Sequence, residues 1–186
     1  MTDTKWLAAE SLLLLPFIRD FMIWSDVFGA TKECMTNLMA QGCNVALIPG
    51  GFQEATLYQR GMHRIYIKER KGFIKYALQY GYSIIPCYSF GEEWSYWQWE
   101  VGNSFRLWLN KFKIPATLFI GKYLFLPDND IDVTVVVGKK IELPFIEKPT
   151  VEDVDKYHGV YMQQLELLFE RNKAKYGASH CKLDMY

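Results

Sequence analysis

The strongest constraint on the fold is a pattern that occurs twice: an apolar run stops at glycine and hands over to a polar loop. Val45–Ile48 runs into Pro49-Gly50-Gly51, and the carboxylate of Glu54 follows three residues later. Tyr82–Tyr88 ends in the same way, at Ser89-Phe90-Gly91-Glu92. Buried strands that end at glycines are how α/β proteins place functional groups at a sheet edge. Two strand ends of one kind predict one site built from two neighbouring loops. Helical patterns surround these runs. Thr31 is expected to cap a helix reaching Gln41 and stopped by Gly42. A helix over Lys71–Tyr80 gathers Phe73, Ile74, Ala77 and Leu78 on one face, with Gly81 just past its end. Short strands are expected over Arg64–Ile67 and Asp132–Val137. Thr150-Val151-Glu152-Asp153 has the form of a capping box. It opens a last helix with the stripe Val154, Tyr157, Tyr161, Leu165 and Leu168. Alternating helix and strand with short connections predicts an α/β sheet.

Composition narrows the setting. The 186 residues, without a linker, repeat or low-complexity tract, predict a single domain over 1–186. Half of the residues are hydrophobic and 16% are aromatic, more than a soluble core needs. The 21 basic residues balance 21 acidic ones, so there is no global pull toward nucleic acid. Cys34, Cys43, Cys87 and Cys181 show no Cys-x-x-Cys spacing, which removes the zinc and redox motifs. Cys43 and Cys87 flank apolar runs and read as buried thiols, in keeping with a reducing, cytosol-facing location. Trp6–Trp24 is helix-compatible, with a break at Pro16. Its apolar stretch Leu12–Ile18 is far shorter than the ~20 residues of a membrane span, and Met1-Thr-Asp-Thr-Lys5 is the wrong flank for a signal peptide. The chain is therefore expected to lie on a membrane rather than cross one. Trp94, Tyr96, Trp97 and Trp99 crowd together, and Phe105, Trp108, Leu109 and Phe112 follow as a helical stripe. These suit either a membrane–water boundary or packing on the sheet.

The two strand ends and the helix between them carry a family resemblance. Pro49-Gly50-Gly51-x-x-Glu54, then Arg70-Lys-Gly72-Phe73-x-Lys75-x-Ala77-x-x-x-Gly81, then Pro86-x-Tyr88-Ser-Phe-Gly-Glu92 resembles the type 2 diacylglycerol acyltransferase family. That family includes monoacylglycerol acyltransferases and some wax synthases. The similarity extends from about Leu12 to Tyr176. It implies a glycerolipid acyltransferase-like scaffold, a central and mostly parallel sheet flanked by helices. It also implies transfer of a fatty acyl group from acyl-CoA, as co-substrate, to a mono- or diacylglycerol. The implied setting is the cytosolic face of the endoplasmic reticulum membrane, with homo-oligomerisation left open. The family places a His-Pro-His-Gly block upstream of these motifs. This sequence has none, which implies an N-terminally truncated domain and an alternative function as a non-catalytic acyl-CoA- or lipid-binding fragment.

Acyl transfer from a thioester to an alcohol needs a base for the hydroxyl proton, donors for the oxyanion and a groove for the acyl chain. His63, His158 and His180 are the histidines present. His63 lies nearest the Gly-Gly loop and is either a base or an ordinary polar residue. His158 lies in the last helix, offset from its apolar stripe, and His180 near the end. Glu54 either orients a base or hydroxyl, as the resemblance implies, or caps the first turn of a helix starting near Phe52. Gly50 and Gly51 allow a backbone approach to ligand, or simply form a tight turn. Arg64, Lys68, Arg70, Lys71 and Lys75 form a basic run suited to the phosphates of coenzyme A, or a solvated face. The resemblance assigns substrate contacts to Pro49, Gly50, Gly51, Arg70, Gly72, Phe73 and Lys75. Ser89 lacks a Gly-x-Ser-x-Gly elbow and is not read as a nucleophile.

Overall fold

The computed structural model describes residues 4–14, 17–98, 119–122, 127 and 130–186. Two compact units emerge, Met1–Gly51 and Phe52–Tyr186. Trp99 and the stripe from Phe105 to Phe112 lie outside the described residues.

The first unit is a three-stranded parallel sheet ordered β2-β1-β3, with β1 at Thr4–Ala8, β2 at Val27–Gly29 and β3 at Asn44–Leu47. Trp6, expected in a helix, instead sits in the central strand. It pairs with Val27 on one side and Ala46 on the other, and pairing along both edges outweighs the weak helical preference of a five-residue segment. Helix α1, Ile18–Trp24, follows a 3-10 turn at Glu10–Leu14 and buries none of its residues. Helix α2, Lys32–Ala40, is capped as its sequence predicts: the Thr31 side chain accepts the Cys34 N–H at 3.1 Å. It carries the chain from β2 across β1 to β3 and buries Leu38 and Met39.

The second unit is built on the long helix α5, Val151–Asn172. Its capping box is complete. Thr150 Oγ1 accepts the Asp153 N–H at 3.1 Å, and Asp153 Oδ2 accepts the Thr150 N–H at 3.0 Å. The buried stripe is Val154, His158, Tyr161, Leu165 and Phe169, so the helix is turned slightly from the expected face and Tyr157 and Leu168 flank the contact. Val154, Tyr161 and Leu165 pack on Ile67 and on Ile74 and Leu78 of α4, Gly72–Tyr80. Gly81 closes α4 in the left-handed conformation, φ 66°, and Tyr82 N–H returns to the Ala77 carbonyl at 2.8 Å. The remaining strands are β4 (His63–Ile65), β5 (Cys87–Phe90), β6 (Trp97–Gln98), β7 (Phe119–Ile120), β8 (Thr134–Val137) and β9 (Leu183–Met185). They pair as β4-β9, parallel, and as β5-β8 and β6-β7, antiparallel.

The class is thus mixed α/β, as expected, but the described strands are divided among four small sheets rather than one central sheet. The run Tyr82–Tyr88 is one cause. Its first half makes a single bridge, Ile84 to Ile141, and only Cys87–Phe90 is a ladder. Pro86 between them offers no N–H to a ladder. Cys87, read as buried, is exposed, because it stands on the outer face of the β5-β8 pair, which no layer of the described residues covers.

At the end of β5 the chain turns at Gly91, φ 93°, where a Cβ would lie 2.2 Å from the Asp132 carbonyl oxygen. At Gly81 the nearest atom to such a Cβ is 3.6 Å away. Gly81→Ala should therefore cost only the left-handed strain, about 1 kcal/mol. Gly91→Ala adds a backbone clash and should cost at least about 3 kcal/mol. Urea unfolding of both variants checks the difference, and equal losses would refute the clash.

Candidate active site

Glu54, Arg70 and Glu92 lie in the second unit, Glu54 on helix α3, Gly51–Leu57, whereas Pro49, Gly50 and Gly51 end the first. Pro49 and Gly50 lie in the turn after β3, and Gly51 is the first residue of α3. Glu54 therefore stands in the first turn of a helix, as one of the two sequence readings has it. Its side chain turns away from a capping role. Oε2 accepts the backbone N–H of Tyr66 at 2.9 Å, from the loop after β4. Burial pushes the Glu54 carboxyl up to about 7, and the carboxylate of Glu92 adds to this. The Tyr66 N–H and the Arg70 guanidinium pull the other way. Glu54 and Glu92 come one from each strand-end motif, and the Glu92 charge is felt at Glu54.

Arg70 is the second motif residue drawn in. Its Nη2 donates to the Gln53 side-chain carbonyl, and its guanidinium lies over the Tyr66 ring, 5.3 Å from the centroid. The other residues of that block are placed differently. Phe73 is half-buried, edge-on to Tyr161 at 5.1 Å between centroids. Gly72 and Lys75 are exposed on α4, and Lys71 pairs with Asp155 at 2.6 Å.

His63 belongs to a separate buried group. It is 4% exposed, on β4 rather than in a loop. Nδ1 is 3.0 Å from the Tyr88 hydroxyl, Nε2 is 3.8 Å from Glu93 Oε1, and the ring lies 4.9 Å from that of Phe169. Burial lowers its pKa, partly offset by Glu93. His158, expected off the apolar stripe, is 2% exposed within it. Its Nε2 is 3.0 Å from the Ile67 carbonyl, and burial lowers its pKa as well. His180 is exposed, in the turn before β9. The hydroxyl of Tyr88, desolvated beside Glu93 and Glu54, is raised well above the usual phenol range.

Several residues of this region carry no signal of their own in the sequence: Gln53, Tyr58, Tyr66 and Glu93. Tyr58 fastens the second loop. Its hydroxyl donates to the Glu93 carbonyl at 2.8 Å and accepts the Tyr96 N–H at 3.1 Å. Beside Glu93 opens a cleft of about 620 Å³, also lined by Arg60, Trp94, Asp130 and Asp132. Glu54 and Arg70 do not line it, and its acidic rim is ill suited to an acyl chain. Among the described residues there is no cluster able to hold a metal ion, and no helix long and apolar enough to cross a membrane.

This combination, a buried carboxyl titrating near neutrality with its motif partners on an α/β scaffold, is compatible with group-transfer chemistry, and sequence comparison identifies the class. The family model for diacylglycerol acyltransferase matches residues 4–185, so the chain belongs to that family. Diacylglycerol O-acyltransferase 2-like protein 6 of Mus musculus is 34% identical over 95% of this chain and 58% of its own length. Diacylglycerol O-acyltransferase 2 of Bos taurus is 31% identical over 88% of this chain and 49% of its own. The protein of the same name from Dictyostelium discoideum is 33% identical over 90% of this chain and 54% of its own. The chain spans about half the length of the curated relatives it matches. No solved structure matches it.

The titrations have opposite effects on stability. Glu54 titrates at about 7 when folded against an ordinary 4.5. The folded state therefore holds the extra proton between those values, and stability from this group is lost as pH rises through 7. His63 and His158 have lowered pKa values, so their contribution is lost as pH falls below the ordinary 6.5. Glu54→Gln should remove a decline of roughly 2–3 kcal/mol between pH 4.5 and 7 and leave a stability that rises with pH. Urea unfolding across that range checks the sign, and an unchanged slope would refute the assignment of Glu54.

Proposed function

We propose that the chain carries the carboxylate side of an O-acyltransferase site, which moves a fatty acyl group from acyl-CoA to a mono- or diacylglycerol in neutral lipid synthesis. The observation that carries this reading is Glu54: a buried carboxyl poised near pH 7 in the first family motif, within electrostatic reach of Glu92 in the last. The acceptor hydroxyl attacks the thioester carbon directly, its proton leaves, and the sulfur departs with coenzyme A as the thiol. A carboxyl titrating near the working pH is matched to orienting that hydroxyl or sharing its proton. Arg70 and Lys75 are the proposed contacts to acyl-CoA. The scaffold is proposed to be glycerolipid acyltransferase-like.

Acylglycerols partition into lipid, so the reaction is proposed to take place at a membrane surface, on the cytosolic face of the endoplasmic reticulum. Phe17, Phe21 and Trp24 support this setting. Phe17 precedes α1, Phe21 and Trp24 lie on it, and the three are 86%, 68% and 84% exposed. Aromatic side chains favour the membrane–water boundary.

A second reading, acyl-CoA or lipid binding without turnover, is favoured by one observation. His63 and His158 are both enclosed in the core with ring nitrogens engaged, which removes them as exposed bases. Radiolabelled acyl-CoA, mixed in detergent micelles with mono- or diacylglycerol, separates the two readings. Acyl transfer that falls about 100-fold in Glu54→Gln supports the first. Saturable acyl-CoA binding with no transfer supports the second. Transfer seen only after a relative's His-Pro-His-Gly segment is joined to the chain assigns the base to that segment. Transfer unchanged by Glu54→Gln overturns the role given to Glu54.

A further inference from the structure

Three side-chain contacts tie the start of α3 to the loop between β4 and α4. Tyr66 donates its backbone N–H to Glu54, the Tyr66 ring supports the Arg70 guanidinium, and Arg70 donates to Gln53, the neighbour of Glu54. We propose that Arg70 is a positioning residue, which fixes the Gln53-Glu54 turn through Gln53 and adds its charge to the Tyr66 N–H in favouring the Glu54 carboxylate. This rests on the acyl-transfer reading of Glu54 and adds to it a role for Arg70 that acts through another residue.

The argument is one of charge compensation. Among the described residues Arg70 makes no ion pair, with Glu54 or with any other carboxylate. Its partners are a neutral amide and an aromatic face, and its buried Nε–H has no acceptor. A guanidinium paired fork-to-fork with a carboxylate has its charge largely cancelled. One held by an amide and a ring keeps its charge, and in a partly desolvated setting that charge acts on the nearest ionisable group. Glu54 is such a group. Burial is the largest influence on it and raises its pKa, the Tyr66 N–H lowers it, and Glu92 and then Arg70 follow in opposite directions. The hydroxyls of Tyr88 and Tyr161 also feel its charge, and burial is their largest influence. Arg70 thus adds its charge to the Tyr66 N–H in favouring the carboxylate, against burial and Glu92.

The direct test follows the Glu54 carboxyl by NMR in protein labelled with ¹³C at the glutamate side-chain carboxyls, the resonance assigned by its loss in Glu54→Gln. Arg70→Gln should raise the Glu54 midpoint by roughly one pH unit. Arg70→Lys, which keeps the charge, should restore it to within a few tenths. If Arg70→Gln does not fold, Gln53→Leu releases the guanidinium from its anchor and carries the same expectation of an upward shift. An unmoved midpoint in the folded variant overturns the proposal. Where the chain turns over, the acid limb of the kcat profile should move up with the midpoint, whatever the change in KM for acyl-CoA. A raised KM with an unmoved midpoint would make Arg70 a phosphate contact only, against the proposal. Absence of turnover in the unmodified chain would count against the acyl-transfer reading alone, since the titration is read without turnover.

Discussion

The second unit depends on the ring of Phe169. It is fully buried, and three aromatic side chains pack around it: His63 at 4.9 Å, Tyr88 at 5.2 Å and Phe90 at 5.6 Å between centroids. These come from β4 and β5, which do not pair with each other in the described ladders. Side-chain packing on α5 therefore does what a shared hydrogen-bond ladder would otherwise do, and sets the spacing of the two strands. An aromatic ring of this size contributes through area and through edge and offset contacts. The positions of His63 and Tyr88 are consequences of that packing, as is the hydrogen bond between them.

Two carboxylates are held close to this core by different means. Glu93 is 8% exposed, and its Oε2 accepts the Gly91 N–H at 2.9 Å. Its Oε1 lies 3.8 Å from Nε2 of His63, an imidazole whose pKa is itself lowered by burial. Glu54 also accepts one backbone N–H, but its cation is Arg70, held off by Gln53. Burying a charge without a close partner costs several kcal/mol, and a carboxyl relieves that cost by keeping its proton. In Glu54 the relief is incomplete, since Arg70 and the Tyr66 N–H favour the anion. A value of about 7, above the ordinary 4.5, is what remains when burial outweighs those groups without cancelling them. A balance of this kind is sensitive to small displacements, so the clamp on the Gln53-Glu54 turn matters more than its few hydrogen bonds suggest.

Features set by local chemistry were legible in the sequence. The capping box of Thr150 and Asp153, the Thr31 cap and the left-handed Gly81 each depend on a few neighbouring residues, and each was found where the pattern placed it. Features set by distant partners were not. Trp6 is a strand residue because β2 and β3 flank it. His158 is a core residue because the Ile67 carbonyl, 91 residues away, meets its Nε2. His63 has one buried neighbour in β5, one in the loop after it and one in α5, none of which can be inferred from its own surroundings in the chain.

The same distinction explains which site residues escaped the sequence reading. Gln53 and Tyr66 are ordinary in type and make no motif. Each is adjacent in space to a motif residue and acts on it by a single contact. Motif patterns select groups whose identity the chemistry demands, whereas a supporting contact can be made by many residue types and leaves little trace. Arg70 belongs to the first kind by its place in the Arg-x-Gly-Phe block and to the second by its contacts. Its side chain turns toward Gln53 and the Tyr66 ring because the basic run Arg64–Lys75 is split between environments: Lys75 faces solvent, Lys71 pairs with Asp155, and Arg70 is drawn in over Tyr66. The charge run read from the sequence as one surface is therefore several separate electrostatic roles, and the one closest to the candidate chemistry is the one turned inward.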